Sequence, residues 1–267
     1  MTPEPLPELR TVTLDRDEDL LWITLNDPGR ANALSPRMIE EITAIYQRPW
    51  REEGIRALLL QGAGENFSAG ADLAHLESLR DASLDENRED SRRLRDLFAS
   101  ILDQSALTLA LVQGACVAGG CGVATAHDFV LAARGARFMY SEVKIGFVAA
   151  LVATFLPLRI QGRDLREILL NPRFLDSEEA REIGLADRIV PRKELREAGR
   201  SLALEILTNA SSESIARTKH LLLDLLGRPL SEALDRAAET NARSRLTEDC
   251  RRGISHFLEH KKPPEWR

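Results

Sequence analysis

The stretch VQGACVAGGCGVATAHD, residues 112–128, places Gly114, Gly119, Gly120 and Gly122 within nine positions. It continues an apolar run, LTLALVQG (107–114), and leads into a pattern typical of a helix. Glycine lets the backbone adopt positive φ, or lets another molecule approach the main chain closely. The order of strand, glycine-rich turn and helix therefore predicts a backbone surface that contacts a ligand.

A second stretch, LLLQGAGENFSAGADLAHL (58–76), repeats the same order. Each turn exposes backbone N–H groups near a helix N-terminus, and two such donors converging from two loops would form an oxyanion hole. GAGENF lacks the third glycine of G-x-G-x-x-G, and neither turn contains a P-loop, so nucleotide binding is poorly supported. Tight turns without a ligand are the alternative interpretation.

Short apolar runs alternate with helical patterns along the first two thirds of the chain. IRALLLQG (55–62) and DFVLAAR (128–134) resemble buried strands, and Ser35-Pro36 is a typical start of a helix. This alternation predicts an α/β fold. Beyond residue 191 the strand signal disappears, which predicts a core over residues 1–191 and a helical C-terminal region over 192–267.

The segment 77–98 is heavily charged, with both signs mixed. The pattern favours a solvated helix with ion pairs between residues four apart, and such a helix is compatible with a mobile cover over a pocket.

The composition excludes several classes of function. The chain has 267 residues and a net charge of −6, which argues against a nucleic-acid partner. Its three cysteines do not suggest a disulfide framework and favour a reducing, cytoplasmic location. The N-terminal MTPEPLPELR has no apolar core of a secretory signal, and no run of about 18 apolar residues predicts a membrane span.

Three stretches together resemble the enoyl-CoA hydratase/isomerase family, the crotonases: FSAGADL (67–73), VQGACVAGGCG (112–122) and FMYSEVKIGFV (138–148). The likeness runs from about residue 10 to the C-terminus, with LNDPGRANALS and FLDSEEAREIGLADRIVP also matching. It implies a crotonase-like spiral of ββα units with a C-terminal helical region that trimerises. It also implies acyl-CoA thioesters as ligands, a homotrimer or a dimer of trimers, and neither a metal nor a cofactor beyond the CoA of the substrate.

The resemblance assigns site residues by position. The oxyanion-hole donors fall on the backbone N–H groups of Ala71 and Gly119. The residues implied to bind CoA or the acyl group are Arg30, Ala31, Ala33, Ala69, Asp72, Leu73, Gly120, Phe257 and Lys261. His260 stands where some members carry a phosphate-binding lysine, so Lys261 or Lys262 is the expected substitute.

Carboxylates decide the reaction expected. Hydratases of this family use two glutamates, of which the second matches Glu142 and the first falls on Gly122. We expect hydration of a 2-enoyl-CoA, with isomerisation of a 3-enoyl-CoA to a 2-enoyl-CoA, Glu142 being the sole acid and base, as the alternative. Gly122 either gives room for a bulky or branched acyl group or marks a changed reaction. A non-catalytic acyl-CoA-binding protein and a thioesterase remain open, and so does a surface or capping role for Glu142.

Two further patterns could suggest metal binding. HFLEH (256–260) matches H-x-x-E-H but has no convincing third ligand, and a terminal helix is the simpler interpretation. Cys116 and Cys121, with His127 nearby, are better explained as small buried side chains around the glycine turn.

Overall fold

The computed structural model describes residues 5–160 and 162–267. Residues 1–4 begin the stretch MTPEPLPELR, in which the sequence shows no secretory signal, and they lie outside these ranges. Within them, the larger sheet has six strands in the order β1–β2–β3–β4–β6–β9. They are β1 Val12–Asp17, β2 Leu20–Leu25, β3 Ala57–Gly62, β4 Leu107–Val112, β6 Phe129–Ala133 and β9 Arg188–Val190. The β1–β2 pair is antiparallel, whereas the other neighbours run parallel.

A smaller sheet stands beside the first. Its strands are β5 Ala115–Val117, β7 Arg137–Met139 and β8 Leu175–Asp176, and β7 is central. The β5–β7 pair is parallel, and β7–β8 is antiparallel.

The helices fall into two groups. Those between the strands are α1 Pro36–Gln47, α2 Leu73–Ser78, α3 Leu84–Asp103, α4 Gly119–Thr125, α5 Val152–Phe155, α6 Gly162–Leu170 and α7 Ser177–Glu182. Those after the last strand are α8 Leu195–Asn209, α9 Ser212–Asp224, α10 Leu230–Ser244 and α11 Glu248–His260. None of the helices in the described ranges combines the length and apolar character needed to cross a bilayer.

Side chains of the central strands alternate between two hydrophobic cores. On β3, Leu58 and Leu60 face the core that contains α1 and α3, whereas Leu59 faces the core that contains α8. This burial on both faces explains the near-continuous apolar runs in the sequence, as expected for a parallel sheet. The predicted α/β fold is confirmed, although α8 packs on the sheet itself. The division at residue 191 stays a prediction.

Local signals explain where helices begin. Ser35 caps α1 through a bond from the Met38 N–H, and Pro36 opens the helix as predicted. The charged segment 77–98, in contrast, is not one helix: α2 ends at Ser78 and α3 begins at Leu84. A capping box between Ser83 and Glu86 starts the second helix.

Candidate active site

Three chain segments run side by side at the smaller sheet. Ser68 pairs with Cys116 in a parallel bridge, and Cys116 pairs with Phe138. The Val117 N–H donates to the Ser68 carbonyl at 3.0 Å, and the Ala118 N–H donates to the Met139 carbonyl at 2.8 Å. Residues that follow these pairs by three or four positions therefore emerge at one edge.

That edge holds the three residues expected to carry the chemistry. Ala71 and Gly119 lie three positions beyond Ser68 and Cys116, and Glu142 lies four beyond Phe138. Within the described part of the chain, neither the Ala71 nor the Gly119 N–H donates a hydrogen bond. Both residues are at least partly exposed. Two unpaired amides at one edge can donate to the same ligand oxygen.

Close packing of the two glycine turns holds these amides in place. Gly70 has φ 84°, and a Cβ there would lie 2.5 Å from the Val117 carbonyl oxygen. A Cβ on Gly120 would lie 2.8 Å from the Cβ of Ser68. The two turns therefore approach each other at distances that only glycine permits at these positions.

Glu142 is a buried carboxylate with an unused oxygen. The residue is 9% exposed, and its Oε2 has no hydrogen-bond partner within the described residues. Burial raises the pKa of the Glu142 carboxyl, and a hydrogen bond from its own backbone N–H opposes this effect. The raised pKa makes Glu142 a stronger base than an exposed glutamate, and its burial argues against a surface role. Ser141, not Glu142, is the N-cap residue of the short 3₁₀ helix that begins here.

Gly122 faces apolar side chains instead of open space. A Cβ on Gly122 would lie 2.8 Å from Phe98 Cζ and 2.9 Å from Val152 Cγ2. Phe98 and Val152 are each 3% exposed, and the Phe98 ring packs on Phe155 with centroids 5.4 Å apart. The idea that Gly122 leaves room for a bulky or branched acyl group is therefore wrong, because Phe98 and Val152 fill that volume.

The loop GRANAL (29–34) contacts the glycine turn of residues 62–70. The Leu34 N–H donates to the Gly70 carbonyl at 2.7 Å, and the Ala69 N–H donates to the Ala31 carbonyl at 2.9 Å. These contacts bring most of the predicted CoA-binding residues together: Arg30, Ala31, Ala33, Ala69, Asp72 and Leu73.

The Asp72 carboxylate is already engaged within the chain. It accepts from the N–H groups of Ala74 and His75 at the start of α2, and it pairs with Arg30 at 2.9 Å. Arg30 pairs with Asp27 as well, at 2.7 Å. Asp72 and Arg30 therefore fix the two loops to each other, and about half of the Arg30 side chain stays exposed.

Phe257 and Lys261 are not brought to this edge within one chain. Phe257 is 52% exposed on α11, and Lys261 ends that helix with φ 58°. On α11, Asp249 accepts a hydrogen bond from the Ser211 hydroxyl, and the Arg252 guanidinium packs over the Trp266 ring. Their assignment to CoA binding stays a prediction.

Four residues that shape the site were not predicted from the sequence. Asn32 is fully buried with φ 54°, and its Nδ2 donates to the carbonyls of Ala63, Asn66 and Phe67. Ser68 Oγ donates to the Asn32 carbonyl at 2.8 Å. A polar residue inside an otherwise apolar motif could have identified these two. Phe98 and Val152 carry no local signal, because they reach Gly122 from other elements.

The HFLEH pattern lies at the end of α11, whereas Cys116 and Cys121 are buried beside this edge. His256 Nδ1 contacts the Lys262 carbonyl at 3.0 Å, and the rings of His256 and His260 are tilted by 55° with centroids 4.3 Å apart. Across the described ranges, no group of three or more His, Cys, Asp or Glu side chains could hold a metal ion.

Comparisons with known proteins agree on one family. A family model described as enoyl-CoA hydratase/isomerase matches residues 15–267. A protein of Thermus thermophilus, provisionally named an enoyl-CoA hydratase, is 41% identical over 91% of this chain and 96% of its own length. A peroxisomal Delta(3,5)-Delta(2,4)-dienoyl-CoA isomerase of Arabidopsis thaliana is 26% identical over 98% of both chains. The crystal structure of an enoyl-CoA hydratase from Mycobacterium smegmatis superposes with a TM-score of 0.87 at 28% identity, covering 98% of this chain and 99% of that one.

Proposed function

This chain belongs to the enoyl-CoA hydratase/isomerase family, and we propose that it shifts the double bond of an enoyl-CoA with Glu142 as its single acid and base. The observation that carries the proposal is the pairing of Glu142, buried with a free Oε2, with an apolar wall at Gly122. One carboxylate suffices for isomerisation, whereas the hydratases of the family use two.

The chemistry proceeds through an enolate. The substrate is a 3-enoyl-CoA, whose thioester oxygen accepts hydrogen bonds from the Ala71 and Gly119 N–H groups. Glu142 takes a proton from C2, and the electron pair moves into the thioester, placing negative charge on that oxygen. The enolate then re-forms the thioester with a double bond between C2 and C3, and C4 receives the proton from Glu142. No atom enters or leaves overall.

Burial of Glu142 suits both proton transfers. A carboxylate with a raised pKa removes a proton from carbon more readily than one with an ordinary pKa. The atoms nearest to a Cβ at Gly122 belong to the apolar side chains Phe98 and Val152, which provide no second acid at that position.

The first test replaces Glu142 with glutamine. We predict that Glu142→Gln lowers kcat by about 10³-fold on a 3-enoyl-CoA, while acyl-CoA binding changes little. The matched control is Glu65→Gln, which removes an exposed carboxylate from the glycine turn of residues 62–70. In the wild type, kcat should fall as the pH drops through the raised pKa of Glu142, above its ordinary value of 4.5. Unchanged turnover in Glu142→Gln contradicts the proposal. Absence of turnover in the wild type, with acyl-CoA binding retained, favours a non-catalytic acyl-CoA-binding protein.

Stability provides an independent control for that variant. A carboxyl whose pKa is higher in the folded chain than in the unfolded chain destabilises the fold when it is ionised. Glu142→Gln should therefore be more stable than the wild type near pH 7, by about 1 kcal/mol. The difference should shrink as the pH falls through the raised pKa toward 4.5. A loss of activity caused by misfolding would give the opposite sign.

Hydration of a 2-enoyl-CoA is the second candidate reaction. The name of the Thermus thermophilus relative favours it. Glu142 alone would then have to position the water and deliver the proton to Cα. A thioesterase using the same two amides is a third possibility, which release of free thiol from an acyl-CoA would reveal.

We also propose a homotrimer or a dimer of trimers, located in the cytoplasm. Exposed apolar side chains on the C-terminal helices support self-association: Leu222, Leu230, Leu234, Ile254, Phe257 and Leu258. All three cysteines are free, which is compatible with a reducing compartment.

A further inference from the structure

One face of α4 carries both Gly119, whose N–H is proposed to hold the thioester oxygen, and Gly122. Gly119 and Gly122 are three residues apart in this helix, so both lie on the same side. Three residues of a helix rise about 4.5 Å, which three or four carbon–carbon bonds span. An acyl group that begins at the Gly119 N–H and follows this face reaches Gly122 after a few carbons.

Phe98 and Val152 lie against Gly122, and Phe155 packs on Phe98. Their atoms would lie within 2.9 Å of a Cβ on residue 122, so they are in contact with this helix face. They come from α3 and α5, and Phe155 of α5 packs on the Phe98 ring. All three side chains are buried. Moving any of them aside would disturb the packing between two helices.

Building on the proposed function, we propose that Phe98 and Val152 form the end wall of the acyl site. They make this protein selective for short enoyl-CoA substrates, with acyl groups of about four to six carbons. Longer chains meet the ring edge and the valine methyl, and they bind only by displacing them. Phe98 and Val152 are specificity-determining residues that take no part in proton transfer.

Binding of saturated acyl-CoA esters tests this wall without requiring turnover. The probes are butyryl-, hexanoyl-, octanoyl- and decanoyl-CoA, titrated calorimetrically into the full chain. The wild type should bind decanoyl-CoA at least about tenfold more weakly than hexanoyl-CoA. Phe98→Leu and Val152→Ala should each recover most of that loss for the long esters, with little change for butyryl-CoA.

A substitution elsewhere on α3 controls for a general loss of packing. Leu97→Ala shortens a buried neighbour on α3 whose atoms are not the nearest to a Cβ at Gly122, so it should leave the length preference unchanged. If Phe98→Leu fails to fold, Val152→Ala carries the same test from a different helix. Equal affinity of the wild type for all four esters, or equal shifts at every length in both variants, overturns the wall.

Turnover assays on short and long enoyl-CoAs, run beside these titrations, distinguish failure of the wall from failure of the proposed function. Length-dependent binding without turnover of any enoyl-CoA would leave the wall standing and reject the isomerase. Turnover of long and short enoyl-CoAs at similar rates would do the reverse. No binding of any ester would reject both.

Discussion

Ala118 has a backbone conformation that residues other than glycine rarely adopt, with φ 47° and ψ −121°. It immediately precedes Gly119, and its own N–H is held by the Met139 carbonyl. A residue other than glycine in such a region costs on the order of 1–3 kcal/mol. The strain therefore lies directly beside one of the two amides proposed to bind the thioester oxygen.

Ala118→Gly should relieve this strain. Glycine adopts the same φ without a Cβ penalty, so we predict that the free energy of unfolding rises by about 1 kcal/mol, despite the larger entropy of the unfolded chain. Urea denaturation measures the change. Ala124→Gly, in the regular part of α4, is the control and should destabilise by about 1 kcal/mol. Equal destabilisation by both variants would mean that Ala118 is unstrained.

For single residues of the site, the sequence predicted positions in the chain but not burial or side-chain contacts. Ala71, Gly119 and Glu142 occur in recognisable motifs, and the structure brings them to one edge. Their roles remain predictions. The burial of Glu142 and the filling of the volume at Gly122 depend on side chains from distant positions, so no local pattern indicates them.

Lys219 connects helix α9 to the large sheet. Its Nζ donates to the Ala106 carbonyl at 2.6 Å and pairs with Asp128 Oδ2 at 2.7 Å. Asp128 also accepts from the N–H and hydroxyl groups of Thr108. Burial lowers the pKa of Lys219, and the Asp128 charge opposes that effect. Only 12% of the Lys219 side chain is exposed, so solvent screens this pair weakly.

Removing one charge of this pair should be costly. Lys219→Met leaves the Asp128 carboxylate without its cation, and we predict a loss of about 3 kcal/mol in the free energy of unfolding. The double variant Lys219→Met/Asp128→Asn should recover part of that loss, because it also removes the uncompensated charge. Denaturation of both variants at pH 7 provides the comparison. A loss under about 0.5 kcal/mol in the single variant, typical of a surface change, would contradict this interpretation.

Helices and strands were predictable where the pattern was local. Ser35-Pro36 and the apolar strand runs predicted α1, β3, β4 and β6 because capping and burial act within a few residues. The charge pattern of 77–98 hid the break between α2 and α3. The apolar spacing of Leu94, Leu97, Phe98 and Ile101 indicates a buried face on α3, but it does not indicate that Phe98 reaches Gly122.

For the whole molecule, the resemblance predicted the fold, and its match to solved structures confirms it. Pattern alone predicted the α/β class. It could not predict that α8 covers the second face of the sheet, because the apolar stripe of a helix does not specify its partner. The proposed homotrimer depends on contacts between chains, and so does the proposed role of Phe257 in CoA binding; a single sequence does not describe such contacts.

The most direct test of Glu142 as the single acid and base is the product formed in D₂O from a short 3-enoyl-CoA and, in a parallel assay, from a short 2-enoyl-CoA, identified by mass spectrometry and NMR. We predict 2-enoyl-CoA as the main product of the wild type from the 3-enoyl substrate, and loss of this product in Glu142→Gln. Little 3-hydroxyacyl-CoA should form from either substrate, because Gly122 and its apolar neighbours provide no second acid. Rapid formation of 3-hydroxyacyl-CoA from the 2-enoyl-CoA, without any conversion of the 3-enoyl substrate, would contradict this role of Glu142 and identify a hydratase.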